Sequence, residues 1–190
     1  MTKNYYETNA IDFIDNTKDA DMHVAYELFE KYLKPNSLII DLGFGSGRDS
    51  IYFHNKGYNV ISSEICEAFV EHGKRILNNE VILLDTLKMD FKDKFDGIWA
   101  CSSLLHFNND ELDKALQNCY NALKKDGIMY TSFKKGSFQG IRNGRYFNDM
   151  ELEQLKELVR KLGFTILEVS ETKDVRPERD ETWLGIVLNK

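Results

Sequence analysis

The fold is decided by the stretch Leu38-Ile39-Ile40-Asp41-Leu42-Gly43-Phe44-Gly45-Ser46-Gly47-Arg48-Asp49. Its first five residues form a short apolar run that is typical of a buried β-strand. Glycines then alternate at positions 43, 45 and 47, where the missing Cβ lets the backbone turn sharply and approach a ligand. A helix is predicted to begin near Gly47, and its free N–H groups favour a carboxylate or phosphate. A tight turn without a ligand is the alternative, but three glycines above Asp41 favour a ligand cradle.

The spacing of these glycines narrows the class of ligand. The pattern over residues 41–47 is DxGxGxG, whereas the dinucleotide fingerprint GxGxxG, counted from Gly43, needs a glycine where Arg48 stands. A nicotinamide-dependent oxidoreductase shares the fold logic but lacks this support. The sequence also contains no GxxxxGK[ST] phosphate loop, which argues against an ATPase or GTPase.

Acidic residues follow the next two predicted strands. Glu64 comes after residues 58–63, about twenty residues beyond Gly43, where a carboxylate can accept both ribose hydroxyls of a nucleoside. Ile65 stands beside it in the predicted nucleoside site. Asp85 and Thr86 follow the third predicted strand, residues 81–84, and can hold an adenine amino group. An aspartate at a strand end is also a common turn residue, so both interpretations of Asp85 stand.

Strands and helices alternate along the rest of the chain. A helical segment is predicted over residues 5–34, further strands over 95–101 and 128–133, and helices over 110–125 and 148–162. Such alternation indicates crossover connections and a parallel sheet. The last two predicted strands, 164–171 and 182–188, are joined by a charged loop and suit an antiparallel pair at the sheet edge. The expected fold class is α/β, a Rossmann-like doubly wound sheet with helices on both faces.

Length and composition restrict the function further. The chain has 190 residues, of which 42% are hydrophobic, and its net charge of −6 comes from 31 acids and 25 bases. We expect a single domain over 1–190, with residues 1–34 as a helical lid or cap and 35–190 as the core. The acidic balance makes nucleic acid an unlikely substrate. Scattered cysteines, no apolar leader and no membrane span predict a cytoplasmic protein, and no metal site is predicted.

These motifs resemble class I S-adenosylmethionine-dependent methyltransferases over essentially the whole chain. The resemblance rests on the glycine motif at 41–47, on Glu64 and Asp85, and on the segments Phe95 to His106 and Lys124-Lys125-Asp126-Gly127-Ile128. More narrowly, the segments 48–50, 142–147 and 174–177 look like signatures of small bacterial methyltransferases of the tellurite-resistance type. Phe44 stands where that group often has cysteine or a small residue, and Glu64 where it often has aspartate. The family fold is a sheet of seven strands, six parallel and the last reversed.

The resemblance implies S-adenosylmethionine as cofactor, with one carboxylate and two cationic groups to be bound. The helix start at Gly47 and Arg48, with Asp49 beside them, is expected to receive the carboxylate, and Asp41 to take the ammonium directly or through water. Aromatic faces attract a sulfonium by a cation–π interaction, and Tyr5, Tyr6 and Phe44 are the candidates. Packing alone is the alternative role for these rings. The predicted cofactor-binding residues are Asp41, Gly43, Phe44, Gly45, Gly47, Arg48, Asp49, Glu64, Ile65, Asp85, Thr86, Cys101 and Ser102.

The methyl acceptor is expected above the carboxyl ends of the strands. The predicted catalytic residues are His106, Tyr5 and Arg145. His106 can act as a base near neutral pH, or it can be a packing residue. Basic side chains can frame an anionic acceptor, or they can form surface ion pairs with Asp174, Glu178, Asp180 and Glu181; they are Arg142, Arg145, Arg176 and Arg179. The chain lacks the [DNS]-P-P-[YFW] motif of DNA amino-methyltransferases.

The sequence therefore predicts methyl transfer to a small molecule by in-line displacement, and the basic residues make an anionic acceptor one candidate. Two other functions stay open at this point. One is a non-catalytic module that binds S-adenosylmethionine, because the acceptor residues are the least specific part of the pattern. The other is an RNA methyltransferase, against which the acidic charge balance argues.

Overall fold

Strands and helices alternate through the central part of the chain. The computed structural model describes residues 2–176 and 179–190. Its helices are α1 (Thr2–Thr17), α2 (His23–Glu30), α3 (Arg48–Asn55), α4 (Glu67–Ile76), α5 (Asn109–Ala122) and α6 (Leu152–Lys161). Its strands are β1 (Leu38–Leu42), β2 (Asn59–Glu64), β3 (Glu80–Leu83), β4 (Phe95–Ala100), β5 (Leu123–Lys134), β6 (Gln139–Arg142), β7 (Arg145–Asn148), β8 (Thr165–Lys173) and β9 (Thr182–Asn189). Single 3₁₀ turns lie at Thr86–Lys88 and Leu104–His106.

Seven strands form one sheet in the order β3-β2-β1-β4-β5-β9-β8. The pairs among β1 to β5 are parallel, and β9 is antiparallel to both β5 and β8. Six strands therefore share one direction and β9 alone is reversed. The predicted fold class, including the reversed last strand, is confirmed. The antiparallel edge pair is also confirmed, with β9 inserted between β5 and β8.

The sheet is buried on both faces because alternate residues of each strand meet different helices. Ile40 and Ile98 join a core with residues of α5 and α6. Ile39 and Trp99 join a second core with residues of α2 and α3. Helices on both faces hold the strands as a rigid platform, and the loops at their carboxyl ends are free to build a site.

The N-terminal segment departs from the single helical stretch predicted over residues 5–34. Two helices are present, and α1 is kinked at Asn9, where φ is −115° and ψ is 22°. The Asn9 side chain donates a hydrogen bond to the Tyr5 carbonyl oxygen at 2.7 Å, the local competition with helical bonding that asparagine often provides. The kink divides α1 into two halves that point at different parts of the molecule.

A second departure is the β6–β7 hairpin, which the sequence prediction missed. Its two-residue loop is Asn143-Gly144, and both residues have positive φ, 51° and 76°. This is the conformation that favours Asn-Gly in tight hairpins. The helix predicted over 148–162 begins later, at Leu152, because Glu151 and Gln154 form a capping box there.

One further feature concerns the lengths of the helices. Within residues 2–176 and 179–190, none of the helices combines the length and apolar character needed to cross a bilayer.

Candidate active site

A cavity of about 630 Å³ lies at the carboxyl ends of the central strands. Its floor includes Gly43 after β1, Glu64 at the end of β2, Cys101 after β4 and Lys134 at the end of β5. Residues of α1, of β7 and of the segment between β8 and β9 complete its walls. This is the edge at which doubly wound sheets bind ligands.

The glycine turn forms one wall of this cavity. The φ angles of Gly43 and Gly45 are +79° and +52°, a region that side chains disfavour. A Cβ at Gly43 would lie 2.8 Å from the Cβ of Ser103, and one at Gly45 would lie 3.0 Å from the ring of Phe13. Gly47 has a different role from the one predicted. It is not among the residues that line the cavity, and it packs instead against Ile76 of α4.

Glu64 lies opposite the glycine turn. Its Oε2 accepts hydrogen bonds from the backbone N–H groups of Ile65, at 2.9 Å, and Cys66, at 3.2 Å. Its Oε1 lies about 4.0 Å from the position of a Cβ at Gly43. Burial raises the pKa of Glu64 to about 7, although the backbone N–H groups favour the ionised form. Within the described part of the chain, no cationic side chain pairs with Glu64, so an acceptor oxygen beside the cavity is left without a positive partner.

Arg48 and Asp49 border the cavity but bind mainly to each other. The guanidinium of Arg48 donates to both oxygens of Asp49, at 2.7 and 2.9 Å, and also to the Thr17 carbonyl oxygen at 3.2 Å. Tyr26 and Trp99 donate the other two hydrogen bonds to Asp49, at 2.5 and 2.8 Å. Although burial opposes ionisation, Arg48 holds the pKa of Asp49 below its usual range. All four side-chain acceptor positions of Asp49 are occupied, and its cofactor role stays a prediction.

Asp41 and Asp85, unlike Asp49, are absent from the lining of the cavity. The carboxylate of Asp41 accepts a hydrogen bond from Ser50 at 2.6 Å, and burial raises its pKa well above the usual range. Asp85 caps the 3₁₀ turn by accepting from the N–H of Leu87 at 3.0 Å. Of the two interpretations of Asp85, the structure shows the role as a turn residue. The predicted cofactor contacts of Asp41, directly or through water, and of Asp85 stay predictions, whereas Thr86 lines the cavity.

The other predicted cofactor residues line the cavity. They are Gly43, Phe44, Gly45, Glu64, Ile65, Thr86, Cys101 and Ser102, together with Arg48. Phe44 is buried against α4, with its ring against Gly73. Burial raises the pKa of the Cys101 thiol to about 11, so it is a neutral thiol near pH 7.

A hydrogen-bonded trio of Tyr6, His106 and Arg145 also lines the cavity. The Tyr6 hydroxyl lies 2.9 Å from Nε2 of His106, and Arg145 donates to it at 3.3 Å. Nδ1 of His106 lies 2.7 Å from the carbonyl oxygen of Tyr146, which can only accept, so the ring proton is on Nδ1. Nε2 therefore accepts from Tyr6. Burial lowers the pKa of His106 to about 4, so the ring is neutral near pH 7.

Tyr5, predicted as a catalytic residue, does not line the cavity, and its catalytic role stays a prediction. Its ring instead packs under the guanidinium of Arg145, 4.7 Å from the ring centroid, and against Gly144. Tyr6, the next residue along α1, takes the place predicted for Tyr5. The two rings point to different sides because successive residues of a helix are turned by about 100°.

The basic residues of the acceptor end divide into two groups. Arg142 pairs with Asp149 at 2.7 Å and does not line the cavity. Arg176 pairs with Asp174 at 2.8 Å, which realises the ion-pair alternative for that residue. Arg145 differs, because its Nε is buried without a hydrogen-bond partner among the described residues. Pro177 and Glu178, which entered the predictions, lie outside the described residues.

The sequence prediction missed Lys134, Ser103 and Trp183, which all line the cavity. The Lys134 side chain is buried, pairs with Glu181 and lies 5.1 Å from the Phe147 ring centroid. Its position directly after the predicted fifth strand is the signal that could have found it, since strand ends of a parallel sheet converge on the site. Ser103 follows the fourth strand in the same way.

Comparison with known proteins identifies this architecture. Residues 39–127 match a methyltransferase domain family. A phosphoethanolamine N-methyltransferase of Plasmodium falciparum is 26% identical over 153 residues, covering 75% of this chain and 53% of that protein. A ribosomal protein L11 methyltransferase of Staphylococcus saprophyticus is 30% identical over 169 residues, covering 85% of this chain and 46% of that protein. The chain spans about half the length of the curated relatives it matches.

A solved structure shares the fold of this chain. It is the Burkholderia thailandensis 1,6-didemethyltoxoflavin-N1-methyltransferase with bound 1,6-didemethyltoxoflavin and S-adenosylhomocysteine. It superposes with a TM-score of 0.84 at 20% identity, covering 99% of this chain and 86% of that one.

Residues 39–127 form a methyltransferase domain, and the chain has the fold of the class I S-adenosylmethionine-dependent methyltransferases. The predicted family, enzyme class and cofactor are thereby confirmed. The narrower resemblance to tellurite-resistance enzymes and the cytoplasmic location stay predictions.

The cavity of this methyltransferase fits the cofactor of its family. Glu64 offers an acceptor oxygen to ribose hydroxyls, and a side chain at Gly43 would fill the space beside that oxygen. Phe13 and Tyr6 of α1 cover the glycine turn, and their rings meet edge to face at 5.1 Å between centroids. The individual cofactor contacts of these residues stay predictions. The role of residues 1–34 as a lid is also a prediction, which this covering position supports.

Proposed function

We propose that this methyltransferase transfers the methyl group of S-adenosylmethionine to a small anionic molecule. The observation that carries the proposal is Arg145, which lines the cavity and whose Nε is buried without a hydrogen-bond partner among the described residues. A guanidinium is always charged, and its parallel N–H groups suit a carboxylate or phosphate. An anionic group of the acceptor supplies the partner that Arg145 lacks among the described residues.

The enclosure of the cavity supports a small acceptor. The volume of about 630 Å³ lies within the range of small-molecule sites and must hold the cofactor as well as the acceptor. Helix α1 covers it, with Glu7 accepting from the N–H of Glu67 at 2.8 Å and Tyr146 donating its N–H to Thr2 at 2.9 Å. A macromolecular side chain would have to displace these contacts. Two of the relatives are named for small molecules, phosphoethanolamine and 1,6-didemethyltoxoflavin.

The protein contributes to the reaction mainly by holding the cofactor and the acceptor in position. The cofactor supplies an activated methyl group, and the acceptor lone pair must stand in line with the breaking bond. Arg145 fixes the anionic end of the acceptor, and α1 excludes water from the reacting atoms. Where the acceptor loses a proton, the Tyr6 oxygen can receive it while the Tyr6 proton moves to Nε2 of His106. The neutral, Nδ1-protonated ring is the form that can accept that proton.

A screen of metabolites with methyl-labelled S-adenosylmethionine tests this proposal. We expect label in a carboxylate- or phosphate-bearing product, with release of S-adenosylhomocysteine. Arg145→Ala should raise the acceptor KM by about 10-fold or more, since hydrogen bonds to charged groups contribute roughly 1.5–3 kcal/mol. Arg142→Ala, which removes a neighbouring arginine outside the cavity, is the matched control.

Other outcomes would contradict the proposal. Label found only in ribosomal protein would favour the class of substrate named for the Staphylococcus saprophyticus relative. Label found only in RNA, with steep salt dependence, would favour an RNA methyltransferase. Cofactor binding without any transfer would favour a non-catalytic module.

A further inference from the structure

The hydroxyl of Ser103 is a buried polar group on a residue that lines the cavity. Its Oγ is buried without a hydrogen-bond partner among the described residues. Ser103 also stands at the N-cap position of the Leu104–His106 turn, where a serine commonly accepts from a nearby backbone N–H, yet it forms no such bond. Since buried polar groups are nearly always bonded, an unpartnered hydroxyl on a residue that lines a ligand cavity indicates a ligand contact.

The position of Ser103 points to one part of the cavity. A Cβ placed on Gly43 would lie 3.7 Å from Oγ of Ser103 and 4.0 Å from Oε1 of Glu64. In the sheet, β1 lies between β2, which carries Glu64, and β4, which precedes Ser103. The hydroxyl and the carboxylate therefore reach the space above Gly43 from opposite sides.

The backbone before Ser103 is held in the conformation that produces this placement. Ser102 has a φ of +55°, which is unfavourable for a residue with a side chain. Its N–H donates to Oγ of Ser132 at 2.9 Å, which ties the turn to β5. Such a strained turn persists only where the surrounding contacts impose it.

We infer that Ser103 is a cofactor-binding residue whose hydroxyl binds the ribose of S-adenosylmethionine together with Glu64. The inference rests on the proposed use of this cofactor. A carboxylate can only accept, so Glu64 takes the ribose hydroxyl protons and leaves the ribose oxygen lone pairs without donors. The Ser103 O–H supplies a donor to one of those oxygens. Glu64 and Ser103 together thereby bind the ribose hydroxyls both as donors and as acceptors.

Calorimetry with S-adenosylhomocysteine tests the inference. We expect Ser103→Ala to weaken binding by about 5- to 30-fold, the loss typical of one buried hydrogen bond. The matched control is Ser170→Ala, which removes a cavity-lining serine on β8 and should leave the affinity unchanged. The melting temperature of Ser103→Ala should be equal to or above that of the unmodified protein, because the hydroxyl is unpaired in the absence of ligand.

A ligand that lacks the ribose hydroxyls shows whether the loss of affinity in Ser103→Ala depends on contact with the ribose. The 2′,3′-dideoxy analogue of S-adenosylhomocysteine should bind the unmodified protein and Ser103→Ala with equal affinity. Equal binding of S-adenosylhomocysteine by both proteins, or the same loss for both ligands, would overturn the assignment of Ser103. If the unmodified protein fails to bind S-adenosylhomocysteine, the proposed function fails first, and the inference fails with it.

Discussion

Glu64 is the residue on which cofactor binding depends most directly. It is buried at the end of β2, and burial raises its pKa to about 7. Donors from ribose hydroxyls stabilise the ionised carboxylate, so the bound state has a lower pKa than the free state. Binding therefore releases a proton at pH values below about 7.

This linkage predicts a pH-dependent affinity for S-adenosylhomocysteine. The affinity should be fully present above about pH 7 and should fall by about 10- to 30-fold by about pH 5.5. Calorimetry in buffers of different ionisation enthalpy measures both the affinity and the proton release. Glu64→Gln cannot titrate, so its affinity should be lower overall and flat with pH. An equally steep decline in Glu64→Gln would assign the linkage to another group.

Tyr6 connects His106 to Arg145, and its hydroxyl can be removed without changing the ring. Tyr6→Phe leaves Nε2 of His106 without a donor while keeping the contacts of the ring with Phe13 and Phe69. We expect kcat to fall by about 10- to 100-fold, the lower range for a lost proton-transfer group. The affinity for S-adenosylhomocysteine should change by less than about threefold. A large loss of cofactor affinity with an unchanged kcat would show that Tyr6 only binds the cofactor.

Among the elements, α1 is the one whose role the sequence left open. Its residues after the kink at Asn9 cover the glycine turn through Phe13, whereas its first residues contact β7 and His106. The two halves therefore make different contacts around the cavity. Such an element can open locally without disturbing the sheet.

Hydrogen exchange of the α1 amides tests this division. S-adenosylhomocysteine should slow exchange in residues 10–17, which cover the glycine turn, more than in residues 2–8. The acceptor should slow exchange in residues 2–8. Amides of β1, buried in the sheet, should show no change and provide the internal reference. Equal protection of both halves by S-adenosylhomocysteine alone would contradict a divided cover.

The sequence predicted those elements whose residue pattern lies within their own short segment of chain. The apolar runs of β1, β4 and β5 and the glycines that follow β1 determine their own conformation. The β6–β7 hairpin was missed although Asn143-Gly144 is a strong hairpin signal. Its strands are short and only partly buried, so they lack the apolar alternation that marks the central strands.

At the scale of the whole molecule, Arg48 and Asp49 join parts that are distant in the sequence. Asp49 binds Tyr26 of α2 and Trp99 of β4, and Arg48 binds the last residue of α1. Sequence reasoning assigned both to the cofactor because they stand at the start of the helix that follows the glycine motif. The motif fixes where a residue lies along the chain, but the distant partners of its side chain decide its role.

Asp49→Asn should therefore reduce stability more than binding. Removing the charge leaves the Arg48 guanidinium, which is 20% exposed, without its carboxylate. The free energy of unfolding should fall by about 2–4 kcal/mol, somewhat below the loss for a fully buried pair. Denaturant unfolding measures it, with Asp12→Asn on the exposed side of α1 as control. Unchanged stability with lost S-adenosylhomocysteine affinity would restore Asp49 to the binding site.

The β6–β7 hairpin also has a consequence for how acceptor choice can change. It holds Arg145 and the Tyr146 carbonyl that orients His106, yet it pairs outside the main sheet. Its sequence can therefore vary while the nucleoside end of the cavity keeps its shape. We expect enzymes with this fold to acquire new substrates when this one hairpin is exchanged. Grafting such hairpins between relatives is a direct route to redesigned methyl transfer.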